Sequence, residues 1–238
     1  MTSYVWEGRW LPTRDEPRGF DCADSWRHDH GRARGLELHR ERFAAGAGPL
    51  PAGMWDSALE LLDASSDLFP RISVFDGRFR FDIRPAPPAR QTTDLTLAAA
   101  PDPRTAPLIK GPDLVRLAEH RRAHAIAGTD DIVLGDFAET TTGTLVGWVG
   151  DTLVLADATR LPSTTEALVA ERAKALGHDI TGGVLDPANP MWFLNALHGI
   201  SPVRRVVSPT ATIVLPRHPG EDEWRRWWRG ELGPEPQF

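Results

Sequence analysis

The chain holds 238 residues, 41% of them hydrophobic and 25% charged, with a formal net charge of −6; such a composition buries a real core and excludes a disordered chain. The negative balance, with no stretch that interleaves basic and aromatic residues, argues against a nucleic-acid binder. The single cysteine, Cys22, excludes an intrachain disulfide framework and a cysteine-based zinc site, and no run reaches the roughly eighteen apolar residues of a membrane helix. With no apolar leader over residues 1–10, a reducing, cytoplasmic setting without membrane contact is expected.

Residues 1–20 read as a strand and an irregular lead-in carrying Trp6 and Trp10. Residues 23–34 read as a hairpin around Asp29-His30-Gly31. Helical periodicity runs over residues 36–45 to a Gly-Ala-Gly stop, and again over residues 52–63 with Trp55, Leu59 and Leu62 on one face. Alternating Ile72, Val74, Phe79, Phe81 and Ile83 about Asp76-Gly77 predict a β-hairpin over residues 71–84. A strand follows at 93–99, and the proline-rich residues 101–107 mark a boundary between an N-terminal domain (1–105) and a larger C-terminal domain (106–238). Beyond it the pattern predicts a helix over 113–127, with Leu114, Leu117, Ala118 and Ala125 inward, then strands at 131–134, 145–149 and 152–155. A helix over 164–176 stops at Gly177, a short buried strand covers 192–194, strands cover 204–207 and 210–215, and an amphipathic helix covers 221–232. The sum is an α+β chain.

The most informative chemistry comes from a shortage. Only Lys110 and Lys174 are lysines, against 25 arginines, so a bare positive charge is supplied here by Arg. Arginine cannot stand in where a deprotonatable primary amine is needed, because guanidinium keeps its proton. Lys174 sits in Glu171-Arg172-Ala173-Lys174, where a solvated helical face accounts for it. Lys110 follows the apolar pair Leu108-Ile109 and precedes Gly111-Pro112, a boundary position suited to a Schiff-base amine, although a surface loop lysine is the plainer account.

No Gly-x-Gly-x-x-Gly, Walker or Gly-x-Ser-x-Gly motif occurs, so dinucleotide, nucleoside-triphosphate and serine-hydrolase chemistry lack their anchors. His120 and His124 are spaced to share a metal, but Arg121 and Arg122 lie between them, and a solvated helical face is expected with no metal. An amine at Lys110 suits pyridoxal phosphate, which also needs a carboxylate at its ring nitrogen and a cradle for its phosphate. Glu139 is the candidate carboxylate. Ser163, Thr164 and Thr165 open a helix and offer an anion site, which Arg42 would close. Taken singly, each has an ordinary explanation: surface acid, N-cap, solvated helix residue.

Their order resembles the class IV (fold-type IV) pyridoxal-phosphate enzymes, a family that includes branched-chain and D-amino-acid aminotransferases and 4-amino-4-deoxychorismate lyase. His39-Arg40-Glu41-Arg42-Phe43 resembles the family's His-x-x-Arg-Leu, whose arginine holds the phosphate; this implies that role for Arg42. Lys110 matches the Schiff-base lysine, and Gly128-Thr129-Asp130-Asp131-Ile132-Val133-Leu134 resembles the segment leading to the glutamate at the pyridine nitrogen, here Glu139. Leu161-Pro162-Ser163-Thr164-Thr165 stands where the family has Leu-x-Gly-Ile-Thr-Arg. Phe193-Leu194-Asn195-Ala196-Leu197, with Ser201-Pro202-Val203, resembles the lyases' Cys-Asn-Ala-Leu and Pro-Val, adding Asn195 to the implied cofactor-binding set. Three departures stand out: Ser163 for glycine, Glu166 for arginine, and Thr144 for asparagine; Tyr4 is also the only tyrosine.

The resemblance implies a two-domain fold with a small N-terminal α/β domain and a larger barrel-like C-terminal domain. It also implies a cytoplasmic homodimer acting on a small amine or amino-acid substrate. Asn195-Ala196-Leu197 and the compact length favour the lyase, which eliminates pyruvate to give 4-aminobenzoate for folate-type biosynthesis. A class IV aminotransferase and a degenerate, non-catalytic fold stand as alternatives. Arg27 and Arg84 are the arginines expected to bind a substrate carboxylate.

Overall fold

A computed structural model of the chain describes residues 1–231, in two compact units. The first comprises Met1–Pro88, Pro103–Ala118 and Thr159–Thr164; the second comprises Ala89–Asp102, Glu119–Ala158 and the chain from Thr165 onward.

In the first unit, β1 (Thr2–Trp6), β2 (Trp10–Pro12), β3 (Cys22–Ser25), β6 (Arg71–Phe75) and β7 (Arg78–Ile83) form an antiparallel sheet in the order β2-β1-β7-β6-β3. The short β4 (His28–Asp29) and β5 (Asp67–Leu68) pair with each other beside it. The β6–β7 hairpin turns at Asp76-Gly77 with positive φ at both residues, the geometry that matches strand twist in a two-residue loop. The predicted hairpin over 23–34 is different. Its turn lies at His30-Gly31, but β3 pairs with β6 and β4 with β5. Strand β3 is the terminal strand of this sheet yet buried along its whole length. The helix Leu36–Ala47 packs on it and the Lys110 segment meets it through the Ala23 amide, a burial that a solvent-edged local hairpin would not give.

Helix α1 (Leu36–Ala47) packs on β3 and buries Phe43 and His39, while α2 (Met54–Leu59) buries Met54, Trp55 and Ala58. The second helix is shorter than its periodicity predicts; irregular turns carry Leu62 into the core instead. Cys22, Trp26, Phe43, Met54, Trp55, Ile72 and Phe81 form one cluster, each large side chain contributing about 1.5–3 kcal/mol on burial. Residues 103–118 join this unit, and the Ala23 amide donates to the Lys110 carbonyl at 2.7 Å.

The second unit is organised by β8 (Thr93–Thr96), β9 (Asp131–Leu134), β10 (Glu139–Thr140), β11 (Thr144–Val149), β14 (Met191–Asn195) and β15 (Gly199–Val207). They run β10-β9-β8-β15-β14-β11, and pairing of β10 with β11 closes the ring into a six-stranded barrel. Closure removes the unpaired edges that an open sheet would expose. Strands β12 (Thr152–Ala156) and β13 (Ile180–Gly183) extend the sheet from β11, and β16 (Thr212–Val214) pairs with β15. Because β8 pairs in parallel with β9 and β15, residues 89–102 belong to this unit, whereas a single cut at 105 would detach them. Similarly, Lys110 lies in the first unit and not with the barrel.

Three helices complete the described residues: α3 (Leu114–His124), α4 (Thr164–Ala175) and α5 (Glu221–Trp228). The α3 sequence predicts an inward apolar face, yet His120 is its only buried residue and Ala118 is exposed. His120 is therefore not on a solvated face, while His124 is. Trp224 and Trp227 of α5 pack with Trp148 and Trp192 in a second core of the barrel unit; position 232, the end predicted for that helix, lies outside the described residues. No described helix is long and apolar enough to cross a membrane.

Gly111 explains how the Lys110 segment lies flat on β3. Its φ is +139°, and a Cβ there would sit 2.7 Å from the Cys22 Cα and 2.9 Å from the Ala23 nitrogen. Gly111→Ala is expected to cost roughly 3 kcal/mol or more in denaturant unfolding, since neither backbone can give way. Gly182→Ala is the control. Its Cβ would meet nothing nearer than 3.8 Å, and a change within about 0.5 kcal/mol is expected.

Candidate active site

In the first unit the site is built around a carboxylate. Asp24 is fully buried on β3 and accepts from the Ser25 amide at 2.7 Å, His39 Nδ1 at 2.8 Å, and Arg42 Nε and Nη2 at 2.8 Å each. His39 and Arg42 are three residues apart on α1, which places both on the helix face that packs on β3. Burial alone would push the Asp24 carboxyl up; the Arg42 guanidinium and the His39 hydrogen bond outweigh it and hold the carboxyl well below the usual carboxylate range. Cys22, two residues away, has its thiol pushed up to about 11 by burial and by the Asp24 charge, so it is neutral.

With one edge on Asp24, Arg42 donates through Nη1 to the Pro162 carbonyl at 2.9 Å. That carbonyl immediately precedes Ser163 and Thr164, where α4 begins. A helix start leaves backbone amides without intrahelical acceptors, and the dipole favours an anion there. Thr164 is 6% exposed and its Oγ1 lies 3.3 Å from His39 Nε2. The sequence-predicted Arg42, Ser163 and Thr164 are thus brought together, and the half-buried Lys110 sits in the same unit with its carbonyl fixed on β3.

The second unit carries Glu139, Thr165 and Asn195. Glu139 is buried on β10, in register with Leu134 of β9 and Thr144 of β11. The tight turn after it is tied to Asp131, 1% exposed, which accepts from the Thr140 hydroxyl at 3.0 Å, the Thr141 and Thr142 hydroxyls, and the Ile132 amide at 2.8 Å. Gly143 is required there: a Cβ would meet the Leu194 carbonyl oxygen and the Phe193 ring at 2.6 Å. Asn195 donates to the Thr142 carbonyl at 3.2 Å and accepts the Leu197 and His198 amides at 3.1 and 2.8 Å. Its side chain therefore holds the Glu139 turn. Thr165 is 2% exposed. Thr144 and Glu166, both departures from the family pattern, meet each other: the Thr144 hydroxyl donates to Glu166 Oε2 at 3.4 Å.

The two arginines expected at a substrate carboxylate differ. Arg27 spends Nε and Nη2 on Asp67 and reaches the Pro87 carbonyl through Nη1. Arg84 donates to the Phe69 carbonyl at 3.0 Å and to Ser25 Oγ at 3.3 Å, over the Phe69 ring, with no carboxylate in ion-pair contact among the described residues. Burial and the neighbouring Arg71 charge push its guanidinium down to about 10. Sequence reasoning gave no role to Asp24, and quoted His39 and Asp131 within family-like segments without assigning either a function. The usable signal for Asp24 was a carboxylate inside the apolar strand Cys22-Ala23-Asp24 facing two basic residues three apart. Among the described residues no group of His, Cys, Asp or Glu is arranged to hold a metal ion.

Comparison with known proteins points the same way. A family model described as amino-transferase class IV matches residues 21–206. No curated protein matches by sequence. Among solved structures, 4-amino-4-deoxychorismate lyase from Pseudomonas aeruginosa is 19% identical with a TM-score of 0.76, covering 97% of this chain and 99% of its own. A hypothetical aminotransferase from Mycobacterium tuberculosis, in an α-ketoglutarate- and PMP-bound form, is 18% identical with a TM-score of 0.78, covering 98% and 99%. The branched-chain aminotransferase from Thermoproteus uzoniensis is 13% identical with a TM-score of 0.76, covering 96% and 93%. At these identities the likeness shows a fold-type IV architecture.

The Asp24 cluster sets a pH dependence. The folded carboxyl titrates below its unfolded value of about 3.9, so its stabilisation is complete above that pH and is lost as pH falls through the folded value. Asp24→Asn is expected to lower unfolding free energy by roughly 3 kcal/mol near neutrality. The gap from wild type should narrow below about pH 4 when denaturant unfolding is followed from pH 7 to 3; a gap constant across that range would contradict the assignment.

Proposed function

Because the chain belongs to the class IV aminotransferase family, we propose that it is a pyridoxal-5′-phosphate enzyme whose reaction is the elimination of pyruvate from 4-amino-4-deoxychorismate. The observation that carries the cofactor reading is the donor set of the first unit. A guanidinium anchored on Asp24 through Nε and Nη2 also donates from Nη1 to the carbonyl before a helix start, which leaves two of its five N–H groups for an anion there, and the same unit holds Lys110. That set fits a phosphate monoester. Arg42 and the head of α4 would hold the phosphate, Lys110 the aldehyde carbon, and Glu139 the ring nitrogen. When bound, the group supplies an electron sink for the pair released at the carbon bearing the substrate amine.

The residues then have separate tasks. Lys110, half-buried and backed by β3, takes the proton from the carbon that bears the substrate amine. The ether C–O bond to the three-carbon side chain breaks, the ring becomes aromatic, and a proton returned to the side-chain methylene gives pyruvate. Glu139, buried on β10, holds a proton on the cofactor ring nitrogen. The Asn195-Ala196-Leu197 sequence, which resembles the lyases' Cys-Asn-Ala-Leu, supports the lyase over transamination; the Asn195 clasp on the Glu139 turn serves either reaction. Arg84 is the guanidinium with donors to spare for a substrate carboxylate, whereas Arg27 is committed to Asp67.

Two experiments follow. Purified protein mixed with pyridoxal phosphate should absorb at roughly 410–430 nm, borohydride should fix the label on Lys110, and Lys110→Ala should abolish the band. Pyruvate release from aminodeoxychorismate would support the lyase; amine transfer from amino acids to a keto acid would replace it with transamination, and no band would leave a non-catalytic fold. With substrate in hand, Arg84→Gln is expected to raise KM about 10–100-fold with a smaller change in kcat, the size of one charged hydrogen-bond pair. An unchanged KM would remove Arg84 from the site.

A further inference from the structure

Four donor groups from Ser25, His39 and Arg42 converge on the Asp24 carboxylate, and the last two residues continue onward through other atoms. A carboxylate can only accept, so His39 must carry its proton on Nδ1 to meet Asp24 Oδ1 at 2.8 Å. That places Nε2 at the far end of the ring, 3.3 Å from Thr164 Oγ1. Thr164 is the first residue of α4, so the imidazole ties the head of that helix to β3. Arg42, with Nε and Nη2 both on Asp24, has the plane of its guanidinium set by the same carboxylate. The two groups offered to an anion lie far apart in sequence, and one buried side chain orients both. All these residues belong to the first unit.

We propose that Asp24 and His39 are positioning residues for a phosphate-monoester site made by Arg42 and the head of α4, Asp24 acting directly on Arg42 and through His39 on Thr164. The proposal rests on the cofactor reading above. It makes a prediction opposite in sign to plain electrostatics. Asp24 places a negative charge beside an anion site and partly cancels Arg42, so charge alone predicts tighter phosphate binding when it is neutralised. Positioning predicts weaker binding, because a guanidinium that loses its bidentate anchor no longer holds its two remaining N–H groups in one direction.

The test compares dissociation constants for pyridoxal and pyridoxal phosphate, and the first divided by the second isolates the phosphate from the Lys110 amine. The proteins are wild type, Asp24→Asn, His39→Phe, Thr164→Val and the His39→Phe/Thr164→Val double variant. The ratio should fall on the order of tenfold in Asp24→Asn, the scale of an outer-shell positioning effect, while the affinity for pyridoxal stays put. His39→Phe and Thr164→Val should each lower it by a similar, smaller factor, and the double variant by no more than either alone. A purely structural role would lower melting temperature without moving the ratio. An unchanged or larger ratio in Asp24→Asn overturns the proposal while leaving the cofactor reading intact. A ratio near one in wild type overturns both. Should Asp24→Asn fail to fold, the Thr164 set decides: a Thr164→Val loss that His39→Phe does not share means the hydroxyl meets the phosphate itself and overturns the His39 route.

Discussion

A carboxylate with no solvent contact must be compensated in place, and that requirement shapes the first unit. Asp24 lies on the innermost stretch of β3, where a lone charge would be prohibitive, so α1 has to dock with His39 and Arg42 facing it. The register of α1 on β3 is thereby specified by polar geometry as well as by Phe43 in the aromatic core. The same docking leaves Cys22 against Gly46, where a Cβ would come within 2.6 Å of the thiol sulfur, and against Gly111, which lets the Lys110 segment lie on the strand. The electrostatic anchor and the seat of the candidate amine are two sides of one strand.

The barrel unit uses a similar device at lower charge. Asp131 gathers three threonine hydroxyls of Thr140-Thr141-Thr142 and so folds a polar run into a tight turn. Without that acceptor, three consecutive threonines would favour continued extended strand. The turn lets β10 pair with both β9 and β11, which closes the barrel with Glu139 buried on β10. Asn195 fastens the other side of the turn from β14.

Two of the departures from the family pattern are coupled. Thr144 and Glu166 contact each other, so the acidic residue in the first turn of α4 has a hydroxyl donor. An acid in a first turn is favourable to the helix dipole, and it occupies a position where the family has a cation. The chain's scarcity of lysine, against its many arginines, sets Lys110 apart from the structural cations: those seen here in forked pairs, such as Arg27, Arg42, Arg71 and Arg204, are all arginines.

What could be read from the linear chain was whatever local physics decides. Alternation and Asp76-Gly77 determined the β6–β7 hairpin, helical spacing determined α1 and α4, and the chemical irreplaceability of an amine singled out Lys110. The motif order extended this to Arg42, Glu139 and the start of α4. What remained was decided by pairing and burial between distant segments. The partner of β3 is β6 and not β4, Ala118 and Ala125 are exposed although the pattern predicts them inward while His120 is the buried residue of α3, and the chain crosses between units on either side of residues 89–102. Asp24, His39 and Asp131 acquire their roles only in that context. A carboxylate in a sequence carries no mark of which donors will surround it, and desolvation, which makes the choice of donors decisive, exists only once the chain has closed around it.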